Sequence, residues 1–249
     1  MNRETDLFKI KTIANELLNV PILETEYSPI IVSHPFTNCG IATLPDNNNF
    51  LQVDITQTPK NFEMWKSYIS KFINNSESIY SICYLVNDAY RLMFFDRIAN
   101  CLSSEDFSTL LSEIWLSSEY ANLDENVSKE TLLEHFKQAD PSKLMTSSEL
   151  EEFNNLDDTI IVYRGVGSKN KDNIKALSWT TSFGKAKWFA ERWGKGGRIY
   201  SARINKNDIY AYFDRRNEFE VIVNFDKLQD IKFVKKPELN PQTSIKSKE

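Results

Sequence analysis

Two carboxylates separated by one residue, Glu218 and Glu220, stand in the stretch Asn217-Glu218-Phe219-Glu220-Val221-Ile222-Val223. Its alternation is a strand signal. Phe219, Val221 and Val223 fall on one face, and Glu218, Glu220 and Ile222 on the other. Side chains two apart on a strand point the same way, roughly 6–7 Å apart. Carboxylates held like this suit a developing positive charge or a guanidinium fork. They are also costly to bury unpaired, so taken alone the pair describes an edge strand with one solvated face. Two features upstream could serve the same chemistry. The run Thr159-Ile160-Ile161-Val162-Tyr163 is strongly β-forming and ends in Arg164-Gly165. A second strand, Ala176-Leu177-Ser178-Trp179-Thr180-Thr181-Ser182, is rich in hydroxyls and leads directly into a helix over 185–192. Each has an ordinary structural explanation as well: an Arg at a strand end is usually solvated, and a Ser/Thr cluster ahead of a helix is usually an N-cap.

The elements that must position these residues divide the chain in two. The first part, 1–157, reads as mostly helical. Apolar stripes predict helices over 5–18 (Leu7, Ile10, Ile13, Leu17), 61–73 and 107–116, with further helices near 128–136 and 147–153. A run over 79–99, apolar nearly all round, predicts a single central helix. Strand signals occur at 30–32 and 50–53, with a loop at 46–49 between them. The second part, 158–235, reads as mostly β, with strands over 159–163, 176–182, 198–204, 209–212, 219–223 and 231–234. Residues 236–249 lack apolar periodicity and read as a disordered tail. The expected fold class is α+β, a helical N-terminal region with a C-terminal mixed β core.

Composition narrows the function classes. Net charge is −5, but residues 1–160 carry 11 Lys+Arg against 25 Asp+Glu, and residues 161–249 carry 19 against 10. The basic half can meet something anionic, or the halves can complement each other internally. Three widely spaced cysteines (Cys39, Cys83, Cys101) give no disulfide framework and no zinc pattern, and two histidines (His34, His135) cannot make a multi-histidine metal centre. The first residues show no apolar signal segment, and the run over 79–99 contains Asp88, Arg91, Asp96 and Arg97, which a membrane span would not. The expectation is a cytoplasmic protein with no metal and no membrane partner. No dinucleotide-fold or P-loop glycine pattern occurs.

In this order and spacing, Tyr163-Arg164-Gly165, the hydroxyl strand running through Ser182-Phe183 to Ala186 and Phe189, and Glu218-x-Glu220-Val221-Ile222-Val223 resemble the R-S-E class of mono-ADP-ribosyltransferases. The resemblance covers about residues 158–235. It implies NAD as co-substrate and a core of the ADP-ribosyltransferase type. Glu220 would hold the nicotinamide ribose, where the transition state gathers positive charge. Arg164 would clamp the NAD phosphates, and the backbone at Gly165 would lie close to the nicotinamide amide. The Ser-Thr-Ser of the family falls on Thr180-Thr181-Ser182, with Thr180 replacing the leading serine. Ser178, two residues earlier on the same strand face, is an equal candidate for bracing Glu220. Glu218 stands where arginine-modifying members carry a second acid. The loop 212–217, with Tyr212, Phe213, Arg215 and Arg216, would face the acceptor. Its aromatic and acidic members suit an arginine, and its Arg215-Arg216 pair would equally suit a nucleic-acid backbone. Trp188, Phe189 and Trp193 lie at helical spacing and read as core. The basic run Lys185, Lys187, Arg192, Lys195, Arg198 reads either as a solvated face or as a phosphate-collecting surface. Neither histidine lies in the β half, which disfavours the diphtheria-toxin-like branch of the same fold.

The expectation is therefore a mono-ADP-ribosyltransferase acting on protein arginine. The alternatives are the same chemistry on RNA or DNA, and a catalytically silent module that binds a nucleotide or a partner. By resemblance such an enzyme would be a prokaryotic or phage-encoded toxin, restrained by an inhibitory partner or antitoxin.

Overall fold

The computed structural model describes residues 4–47, 49–119, 121–167, 173–192, 194 and 196–234. Two compact units are present, Met1–Leu144 and Met145–Glu249. The tail 236–249, Trp193 and Lys195 lie outside the described residues.

In the first unit, helix α1 (Leu7–Leu18) is capped by Asp6 and buries Ile10, Ala14, Leu17 and Leu18. Five short strands follow. β1 (Leu23–Glu24), β2 (Ile31–His34) and β3 (Thr37–Cys39) form one small sheet, and β4 (Ile41–Asp46) pairs with β5 (Asn49–Asp54) as a hairpin. The rest is helical: α2 (Pro59–Asn75), α3 (Ile79–Leu85), α4 (Arg91–Ile98), α5 (Ser104–Ser117), α6 (Lys129–Gln138) and α7 (Pro141–Leu144). Ser103 and Ser128 cap α5 and α6 by accepting from the backbone N–H groups of Asp106 and Thr131.

The single central helix expected over 79–99 is two helices. Val86 and Asn87 adopt extended backbone, the Asn87 N–H donates to the Pro35 carbonyl, and the Asn87 side chain accepts from the Ala89 N–H. These bonds replace the helical ones that would have continued α3. Among the described residues, no helix is long and apolar enough to cross a membrane.

The second unit carries the candidate site. It opens at Met145, ahead of the 157/158 boundary expected where the β-forming run begins, and α8 (Ser147–Asn154) packs on β9 of the sheet. The sheet is built from β6 (Thr159–Val166), β7 (Ser178–Thr180), β8 (Arg198–Asn205), β9 (Ile209–Phe213), β10 (Glu220–Val223) and β11 (Gln229–Phe233), in the order β11-β8-β6-β7-β10-β9. The α+β class expected from the sequence is the one observed. Within it, every pairing among the described residues is antiparallel, so the sheet is not mixed. The reason is the position of β6. Helix α9 (Phe183–Glu191) joins β7 to β8, two strands that run the same way, but β6 lies between them in the opposite direction.

α9 packs on β6 too closely for a side chain at the contact. A Cβ built on Gly165 would stand 1.9 Å from the Ala186 carbonyl oxygen, and one on Gly197 1.8 Å from that of Ala190. Two glycines and two alanines thus set how closely the helix lies on the sheet. Val162, Trp179, Ala202, Ile204, Phe213 and Val221 are buried in the core of this unit.

Candidate active site

β10 lies between β7 and β9, and all four of its residues are buried. That removes the edge-strand explanation of the acidic pair. Glu220 is 5% exposed in an internal strand, where a carboxylate needs cations or donors to offset its desolvation.

The strand register aligns the candidates. Thr180 on β7 is opposite Glu220 on β10 and also opposite Tyr163 on β6, the residue before Arg164. Arg164 is buried. Its Nε donates to the Asn173 carbonyl at 2.8 Å and its Nη1 to the Ser178 carbonyl at 2.5 Å. Nη2 meets no hydrogen-bond acceptor among the described residues. Burial pulls the guanidinium down to about 10 while the negative charge of Glu220 works against that, so Arg164 stays charged at neutral pH. Ser178 contributes this carbonyl and stands opposite Ile222 in the register.

The expected strand face shared by Glu218 and Glu220 is corrected. The strand begins at Glu220, and Glu218 belongs to a tight turn in which Asn217 (φ 53°) and Phe219 (φ 50°) both take left-handed backbone. Asn tolerates that region, whereas a bulky residue such as Phe rarely adopts it. Its neighbours hold it there. The Asp214 side chain accepts from the Phe219 N–H, the Phe219 carbonyl accepts from the Thr181 N–H, and the Thr180 hydroxyl donates to the Glu218 carbonyl at 2.8 Å. A threonine hydroxyl has one proton. Thr180 gives it to this carbonyl and accepts from the Ser182 N–H, so it braces the turn through its backbone and does not donate to the Glu220 carboxylate. The Ser182 hydroxyl caps α9, accepting from the Lys185 N–H.

The turn brings the two carboxylates to one cation. Arg216 Nη2 donates to Glu218 Oε2 at 2.8 Å and lies 3.6 Å from Glu220 Oε2, with the Arg216 side chain 38% exposed. The pair therefore already binds a guanidinium.

The acceptor-facing loop expected over 212–217 is also corrected. Tyr212 and Phe213 are buried residues of β9, because Ile209–Phe213 is needed as a sheet partner of β10. Arg215 is exposed but tied to a buried acid. Its Nε and its backbone N–H both donate to Glu149 Oε1 at 3.2 Å, and its guanidinium lies 5.4 Å from the centre of the Phe213 ring. Of that loop, Arg216 remains as the residue directed at the carboxylates.

Glu149 is the residue that sequence reasoning missed. It is 3% exposed, accepts from the backbone N–H groups of Asp214 and Arg215 through Oε1, and closes a capping box with Thr146 through Oε2. Burial pushes its carboxyl up, but the N–H groups of Thr146 and Asp214 and the Arg215 charge outweigh that and hold it below the ordinary carboxylate value. The T-x-x-E spacing of the capping box was available as a signal. Its second task, holding the loop that carries Arg216 and Glu218, has no local signature.

Gly165 has a structural reason to be glycine, since a side chain would enter the backbone of α9. Trp188, expected in the core, is 55% exposed on α9, where Arg192 lies 5.7 Å from its ring centre.

Compared with known proteins, the chain matches no family model, no curated protein and no solved structure.

Proposed function

We propose that the chain transfers ADP-ribose from NAD to the guanidinium of a protein arginine. The observation that carries this reading is the ion pairing of one guanidinium, that of Arg216, with both Glu218 and Glu220. A site that already accommodates a guanidinium against two carboxylates has the charge and the reach to accept one from another chain. The residues also fit NAD. Arg164 offers a permanently charged fork whose Nη2 end faces no internal acceptor among the described residues, which suits a phosphate oxygen. Glu220, buried and near enough for its charge to act on the Arg164 guanidinium, offers a negative charge where the ribose gains positive charge as nicotinamide departs. Glu218, on the more exposed turn, orients the acceptor guanidinium and takes its proton.

A nucleic-acid acceptor has one observation in its favour. Trp188 is exposed on α9 beside Arg192, and Lys187 is exposed next to it, a combination on which bases stack and phosphates bind.

The division of labour between the two acids is the test. Glu220→Gln should stop nicotinamide release and all transfer. Glu218→Gln should keep nicotinamide release and stop transfer to arginine. Transfer to arginine that survives Glu218→Gln would refute the guanidinium reading, and label arriving in RNA or DNA alone would favour the second acceptor.

A further inference from the structure

The guanidinium closest to the two acids belongs to the chain itself. Arg216 sits 2.8 Å from Glu218 and 3.6 Å from Glu220, and more than a third of its side chain is exposed. Its neighbour Arg215 is tied to Glu149 by both side chain and backbone. The turn between them is fixed at several points. Glu149 holds the N–H groups of Asp214 and Arg215, the Asn217 N–H donates to the Asp214 carbonyl at 2.7 Å, and Thr180 and Thr181 hold the carbonyls of Glu218 and Phe219. A nucleophile presented on such a turn is at a high effective concentration relative to any acceptor in solution.

We infer that Arg216 is a modification site, the first acceptor of ADP-ribose on this chain, reached within one molecule. The inference rests on the proposed transferase reading and names a substrate for that same site. In the step, the bond between C1′ of the nicotinamide ribose and the nicotinamide nitrogen breaks, and nicotinamide leaves with the bonding pair. A C1′–Nη2 bond to Arg216 forms, and the proton displaced from the guanidinium passes to Glu218, 2.8 Å away. The co-reactant is NAD alone. The product carries its ADP-ribose over Glu218 and Glu220, so the modified chain no longer offers the acid pair to an external guanidinium.

The test uses the full chain, NAD labelled in its adenosine half, and no added acceptor. Released nicotinamide is measured alongside, and label on the protein is mapped by peptide fragmentation. Label at Arg216, with a labelled fraction that does not change on diluting the chain, is the result expected. In Arg216→Lys the ratio of covalent label to nicotinamide released should fall to background. Nicotinamide release without label on the chain, label at another residue, or a labelling rate that rises with chain concentration would overturn the inference and leave the transferase reading standing. Absence of nicotinamide release under every condition would overturn both.

Discussion

Replacing Glu149 by Gln tests whether one buried carboxylate organises the turn that carries Arg216 and Glu218. In the native chain Glu149 Oε1 takes the Asp214 N–H at 2.9 Å, the Arg215 N–H at 3.2 Å and Arg215 Nε at 3.2 Å, and Oε2 takes the Thr146 N–H at 2.9 Å. A glutamine can keep its oxygen toward Asp214 and Arg215, but its amide nitrogen then faces the Thr146 N–H, donor against donor. The bonds that survive go to a neutral acceptor, each weaker by about 1 kcal/mol. Loss of the charge also removes the cost of burying it, and the Arg215 pair is a third exposed and counts for little. The net expectation is a destabilisation of about 2 kcal/mol in the second unit.

The sign of the pH dependence follows from the lowered carboxyl. Glu149 binds its proton less readily in the folded chain, so its contribution is fully present above its ordinary value of 4.5 and is lost as pH falls through that value toward the lower folded one. Urea unfolding at pH 7 and near pH 4, with hydrogen exchange at the Asp214 and Arg215 amides, measures both effects. Wild type should lose its advantage over Glu149→Gln as the pH drops. A variant within about 0.5 kcal/mol of wild type at pH 7, with both amides protected as before, would refute this role.

Two other outcomes follow from the geometry. In Gly165→Ala the new Cβ meets backbone of α9 at 1.9 Å and 2.7 Å, so the helix must shift and thermal unfolding should reveal a loss of about 1–3 kcal/mol. An unchanged melting temperature would show that α9 is not held as described. Thr180→Val removes the donor to the Glu218 carbonyl and the acceptor for Ser182, costing about 1–3 kcal/mol. On the proposed function it should lower transfer to arginine more than nicotinamide release, with Thr180→Ser restoring both, and equal loss of the two activities would contradict a bracing role at Glu218.

Much of the fold was legible because it is encoded locally. Ser103 and Ser128 stand four residues ahead of the apolar positions Phe107 and Leu132 and cap the helices that begin directly after them. The strand expected over 159–163 announces itself by β-branched content and the one over 198–204 was expected as well, and the observed strands, Thr159–Val166 and Arg198–Asn205, pair along their length. What escaped depends on partners distant in sequence. Nothing in residues 79–99 shows that Asn87 will leave its helix for the carbonyl of Pro35. The pattern Glu-x-Glu-Val-Ile-Val reads as strand from its first acid, yet Phe219 takes positive φ because Asp214, Thr180 and Thr181 close a turn around it. The expected strand over 209–212 already reaches Tyr212, but β9 runs one residue further, and its pairing with β10 buries both Tyr212 and Phe213 where the resemblance had them facing an acceptor. The three site motifs were identified by residue type, and the register then brought Thr180 opposite Glu220. The convergence of two acids on Arg216 needed the turn.

The most direct measurement of the central claim is nicotinamide release from NAD by the purified chain, with protein and RNA fractions of a bacterial lysate supplied separately as acceptors and Glu220→Gln as the control. The proposed transferase activity requires release by wild type, none by Glu220→Gln, and ADP-ribose arriving on protein. Equal release by the two forms, or none by either with any acceptor, would contradict it.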